Sequence, residues 1–242
     1  MGKLFVSLLA LLWMAEAAFA GQLVVIDSSA PGLTPGAILD DSKPIELAAG
    51  TTVTLVSESG KVTNLKGPFS GLPGPAGKSA GGGSGGGSLT ASLAKLVGGQ
   101  SATSKLGVMR SNKAQVPSDP WALNVERTGN HCARSGSAPE LWRSKAVKAI
   151  TLTLKLLPKG ARSSTGWPAG AERIGWPGEV ALKDGGKYMA RMSGKTSAAR
   201  LVIHLVPADL PTDAHRAVWM AGKGCIGQAR ALLAGLRNKM AK

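Results

Sequence analysis

Acidic side chains are the first shortage. The 242-residue chain holds 14 Asp and Glu against 29 Lys and Arg, a net charge of +15. Histidine is scarce as well: there are three, and none stands in an HExxH or triad-like local motif. Aromatic residues make up only 4%. The carboxylates of the C-terminal half are dispersed. So little material for acid–base or metal chemistry reads as a protein that is not an enzyme and that takes no cofactor or metal ion.

Long apolar runs are missing after residue 20. A membrane-crossing helix needs about 20 consecutive apolar residues, and no later segment supplies them. The one apolar run, Leu4 to Met14, is too short to span. It follows Lys3 and precedes Ala18-Phe19-Ala20, whose small residues suit signal-peptidase cleavage. Residues 1–20 therefore read as a cleavable signal peptide, with the mature protein starting near Gly21 in the periplasm or outside the cell.

Cysteine is limited to Cys132 and Cys225. An even count in an exported chain reads as a disulfide. His131 adjoins Cys132, but adjacent residues rarely converge on one ion, and no CxxC or HxxxH spacing accompanies them. A bridge across so long a loop contributes about 4 to 5 kcal/mol in the chain-entropy model.

What the chain has is positive charge, unevenly placed. Residues 21–88 carry five acids and four bases, net −1, and residues 89–116 carry four bases and no acid, net +4. Residues 117–242 carry eight acids and twenty bases, net +12. A surface of that sign attracts polyanions. Outside the cytoplasm these are lipopolysaccharide, teichoic acids, acidic glycans or released DNA. The bases are scattered along the chain, however, with no run of 5–8 of the kind that marks a basic motif.

Hydrophobic spacing predicts a mostly β protein. Leu23 to Ile26, Thr52 to Val56 and Lys61 to Leu65 read as strands of a small β unit over residues 21–70, too small to be stable by itself. Residues 71–88 are a flexible Gly/Pro/Ser linker. Its Gly77-Lys78-Ser79-Ala80-Gly81 matches G-x-S-x-G, but a glycine-rich coil provides neither the strand nor the helix that motif needs. Leu89, Leu93, Leu96 and Val97 share one face of a short helix, followed by irregular connection to residue 118.

A basic domain over 119–242 then reads as a β sandwich. Trp121, Leu123 and Val125 alternate; so do Ile150, Leu152, Leu154 and Leu156, and Lys187–Met192 and Leu201–Val206 are two more strands. His204 falls opposite Leu201, Ile203 and Leu205, as a solvent-facing strand residue. Thr212 or Asp213 caps a terminal αα-hairpin in which Cys225, Ala229, Leu232, Leu233 and Leu236 make an apolar stripe.

Two Gly-Trp-Pro units, Gly166-Trp167-Pro168 and Gly175-Trp176-Pro177, lie close to Arg162 and Arg173. Trp167, Trp176, Arg162 and Arg173 are thus a candidate binding patch, the tryptophans offering flat faces to sugars or to a partner. The competing reading places both rings in a core poor in aromatics, which needs them.

The segment Pro35 to Gly71, with ELAAGTTVTLVSESGKVTNLKGPFSG, resembles the small β unit of FecR-like periplasmic proteins. The stretch WPGEVALKDGGKYMARM is similar to fibronectin-III and immunoglobulin-like modules, with a Trp-Pro start and a Gly-x-Tyr strand. The resemblance implies binding or scaffolding and brings no catalytic residue. Two functions follow as expectations: an interaction or scaffolding module with an envelope protein partner, or a binder of an anionic surface or polysaccharide through the basic C-terminal domain.

Overall fold

A computed structural model describes residues 21–74, 88–103 and 117–239. The proposed signal peptide, most of the proposed linker, and residues 104–116 lie outside the described residues. Strands dominate, fourteen against three helices among the described residues.

The chain begins with β1 (Gln22–Ser28), β2 (Ile38–Asp40), β3 (Ile45–Leu47), β4 (Thr52–Ser57), β5 (Val62–Lys66) and β6 (Phe69–Gly71). Four of them form an antiparallel sheet in the order β2-β1-β4-β5, and β3 pairs with β6. The run Leu23-Val24-Val25 is apolar without alternation because β1 is buried on both faces. Leu23 and Val25 join Leu47, Val53 and Leu55 in one cluster, while Val24 and Val56 face the other way. A small unit cannot cover a strand on both sides by itself, and the second cover comes from elsewhere in the chain.

That cover is α1 (Leu89–Thr103). Leu89, Leu93 and Leu96 are buried on the predicted face. The helix does not end where the apolar spacing ends, at Val97, but runs through Gly98 and Gly99 to Thr103. Gly36 serves close approach here. A Cβ on Gly36, which has φ of +93°, would lie 3.0 Å from the Gly98 Cα and 3.1 Å from the Ala94 carbonyl oxygen. The turn at Pro35-Gly36 and the helix thus meet backbone to backbone, a contact that a glycine permits.

The remaining elements are β7 (Leu123–Asn124), β8 (Gly129–Arg134), β9 (Glu140–Trp142), β10 (Ile150–Leu156), β11 (Arg162–Trp167), β12 (Arg173–Gly175), β13 (Gly186–Met192), β14 (Ala199–Val206), α2 (Asp213–Gly222) and α3 (Ile226–Lys239). Five strands form a sheet in the order β11-β10-β13-β14-β8, antiparallel except for the parallel β14–β8 edge. A three-stranded sheet, β12-β9-β7, shares its core: Leu123 and Leu141 are buried with Leu152, Leu154, Tyr188, Leu201 and Ile203. The alternating Trp121-Leu123-Val125 pattern yields only the two-residue β7. Leu123 and Val125 enter this core, whereas Trp121 packs against the helices instead.

Thr212 caps α2, its hydroxyl accepting the His215 N–H. Ala214, Ala217 and Met220 of α2 and Ala229, Leu232, Leu233 and Leu236 of α3 are buried together with Val24, Val56 and Leu93. The N-terminal sheet and the terminal helices therefore share one core, with α1 between them. A disulfide joins Cys132 on β8 to Cys225 just before α3, across a sequence separation of 93.

Candidate functional site

The expected Trp/Arg patch does not form. Trp167 is 1% exposed and donates its Nε1–H to the Ala171 carbonyl at 2.8 Å. Trp176 packs edge-on against Tyr188, centroids 5.0 Å apart, and donates to the Val180 carbonyl at 2.6 Å. Both rings serve the core, for the reason the scarcity of aromatics suggests. Arg173 is engaged with the carboxylates of Asp119 and Glu140, each at 3.0 Å. Buried Arg143 stacks over Trp167 at 5.0 Å and donates to the carbonyls of Ala171, Lys148 and Pro168. Arg162, exposed like Arg173, stands on the face of β11 opposite Trp167.

That face is built by register. Leu152 and Leu154 on β10, Tyr188 and Ala190 on β13, and Leu201 and Ile203 on β14 point into the core. The intervening residues point outward, since side chains alternate along a strand. Lys155 pairs with Arg162 on one side and Met189 on the other, and Met189 pairs with Arg200. The outward side chains of four adjacent strands thus form one row, Arg162–Lys155–Met189–Arg200, perpendicular to the strands. Arg191 and Lys187 flank Met189 along β13 on the same face.

Around these five cations the face offers hydroxyls. The Thr153 and Ser164 oxygens lie 3.1 Å apart across β10 and β11. No acidic residue occurs on β10, β11, β13 or β14. The four salt bridges among the described residues involve Lys43, Arg173 and Arg216, none on this face. Lys155 directly opposite Arg162 is a like-charge pair, which lowers sheet stability. At its other end the same face is covered: His204 contacts the Asn130 side chain at 3.2 Å, and Cys132 and Val206 lie under the helices. His204 is half-buried, less open than its strand position implies.

Two clefts adjoin that covered end. One, of about 460 Å³, is lined by Pro120, Trp121, Arg134, Asp213 and Leu232; the other, of about 240 Å³, by Trp121, Arg134, Val206 and Arg216. Arg134 lies over the Trp121 ring at 4.3 Å, and both side chains line both clefts. A third, of about 230 Å³, lies beside the disulfide and is lined by His131, Asn130 and Gln228. His131 is buried, and its Nε2–H donates to the Arg127 carbonyl at 3.0 Å. Burial lowers its pKa, the hydrogen bond to Arg127 opposes this, and the Arg127 charge adds to the lowering.

Acid–base partners are not assembled in these clefts. His215 is half-buried and lies beside the turn that holds Glu58. Burial lowers its pKa, while the Glu58 charge pulls the other way. Glu58 itself holds the start of α1: its carboxylate accepts from the Leu89 and Thr90 N–H groups and from the Thr90 hydroxyl. Burial raises the Glu58 pKa, but the bonds from Thr90, Leu89 and Ser88 outweigh it and leave the net shift downward. This carboxylate caps a helix, whose N-terminus favours a negative charge. Among the described residues no three His, Cys, Asp or Glu side chains gather into a set that can hold a metal ion.

No protein-family model, curated protein or solved structure matches the chain.

Proposed function

We propose that the protein is an exported, non-enzymatic envelope component that binds polyanions through the open face of the five-stranded sheet. The observation that carries this is the acid-free row of Arg162, Lys155 and Arg200, flanked by Lys187 and Arg191. Like charges held opposite one another cost stability, and an anionic ligand relieves that cost. The disulfide fits a location outside the reducing cytoplasm, periplasmic or secreted, and no helix among the described residues is long and apolar enough to cross a membrane. The two sheets over one core are read as an immunoglobulin-like sandwich closed by an αα-hairpin, and residues 35–71 as a FecR-like unit.

This reverses the order of the two expected functions. A scaffolding module that binds an envelope protein needs a contiguous apolar patch. The exposed large hydrophobics among the described residues are Ile38 on β2, Ile226 on α3, and Leu72 and Val147 in loops, all far apart in the sequence.

The test is the salt at which the purified protein elutes from a heparin column. Lys155→Glu/Arg191→Glu should elute at far lower salt than the native protein. Lys61→Glu/Lys66→Glu, an equal charge change on the N-terminal unit, should shift it little. Equal shifts for the two variants reduce the effect to net charge and refute the site.

A further inference from the structure

We infer, resting on the polyanion reading above, that the ligand is a flexible, phosphate-bearing linear polymer without aromatic bases, laid across the strands along the Arg162–Lys155–Met189–Arg200 row.

Three observations lead there. The first is the layout. Neighbouring strands lie about 4.8 Å apart, so the row from β11 to β14 spans three such steps, about 14 Å. Arg191 and Lys187 stand two residues to either side of Met189 on β13, about 6 to 7 Å away in each direction. A single chain along the row passes over three cations and within side-chain reach of two more, with no carboxylate on those strands to repel it.

The second is shape. Sheets twist by about 20–25° per strand, so the outward side chains fan by roughly 60–75° about the row from end to end. A flexible chain follows such a path. A bilayer plane or a stiff duplex meets only part of it.

The third is what the face omits. Sequence-tolerant binding of single-stranded nucleic acid draws about 1–3 kcal/mol per base from stacking on aromatic side chains. Among the described residues of this face there is no Trp, Tyr or Phe; Trp167 and Tyr188 point into the core from the same strands. Thr151, Thr153, Ser164 and Met189 fill the space between the cations. Bases gain nothing here and charge density decides. Three of the five cations are arginines, whose forked guanidinium matches phosphate oxygens.

The experiment uses the disulfide-intact protein with two probes of equal charge number, long-chain inorganic polyphosphate and oligothymidylate, followed by titration at several salt concentrations. Polyphosphate should bind at least as tightly as oligothymidylate. With five contacts at about 0.7 each, the log–log salt slope for oligothymidylate should approach −3.5, and Arg162→Ala or Arg200→Ala should each remove about 0.7 from it. Lys61→Ala, off the face, should leave it unchanged.

If oligothymidylate binds about tenfold tighter than polyphosphate, a difference of about 1.4 kcal/mol, the base-free inference fails while the polyanion reading stands. If anionic vesicles displace polyphosphate at equal charge, the linear-polymer inference fails in the same way. If neither probe binds, or Lys155→Glu/Arg191→Glu binds both as well as the native protein, both readings fail together. If Lys61→Ala weakens binding as much as Arg200→Ala, the row is not the path.

Discussion

The side-chain amide of Gln228 is bonded to both backbone groups of Cys132. The Cys132 N–H donates to the Gln228 oxygen at 2.8 Å, and the Gln228 amide donates to the Cys132 carbonyl at 2.8 Å. The same amide donates to the Pro120 carbonyl at 2.7 Å. Strand β8 is the outermost strand of its sheet, and one glutamine supplies at Cys132 the donor and acceptor that a neighbouring strand would supply. Gln228→Ala strands buried backbone groups and should cost about 2–4 kcal/mol in urea denaturation. Gln228→Glu should not rescue it, because the carbonyls of Cys132 and Pro120 need a donor. A cost below about 0.5 kcal/mol would show that water replaces the amide there.

The disulfide fastens the same place covalently. Cys132→Ala/Cys225→Ala should lower unfolding stability by about 2–5 kcal/mol. The melting temperature of the native protein should fall comparably on adding a thiol reductant, and that of the double variant should not respond to it.

The basic face predicts that stability and binding move in opposite directions. Arg162→Glu places an opposite charge across from Lys155 and should stabilise the sheet by about 0.2–1 kcal/mol. The same change should weaken polyanion binding, as salt-dependent titration would record. A variant that loses both stability and affinity would mean that Arg162 matters for packing.

Acid should loosen the region around β8 before it reaches the carboxylates. The folded His131 pKa lies below its ordinary 6.5, so the unfolded chain binds more protons as pH falls through that value. Stability should be full above pH 6.5 and decline below it, down to the folded pKa. His131→Gln should reduce the slope there without abolishing it, because His215 is shifted in the same direction, as denaturant midpoints would record. The downward shift of Glu58 adds a later loss, beginning only below its ordinary 4.5. An unchanged slope in His131→Gln would assign the pH dependence to other groups.

The strands that show in the sequence are those with an apolar face of their own, such as Leu152 and Leu154 on β10 or Leu201 and Ile203 on β14. β11 does not show, because Arg-Ser-Ser-Thr-Gly-Trp carries no apolar alternation; its place comes from pairing with β10. β8 is hidden because its strand partner, β14, lies some seventy residues further on. Gly98 misleads as a helix end because the apolar spacing stops at Val97 while α1 runs on through Gly98 and Gly99 to Thr103. The basic face is illegible for a related reason. Its members are scattered between residues 155 and 200, and only the strand register puts Lys155 beside Arg162, and Met189 beside Arg200. The sequence singles out Arg162 only for its closeness to Trp167, which turns the other way.

A glycine-rich stretch between two folded parts ordinarily suggests beads on a string. Here both ends of that stretch return to common ground. Glu58 of the first part grips the start of α1, and the β4–β5 turn rests on α2, where a Cβ on Gly60 would collide with the Thr212 hydroxyl and the His215 ring. A protease that cuts between residues 75 and 87 should therefore leave two pieces that stay together on a sizing column and melt in one transition. The tether can be severed without parting what it joins.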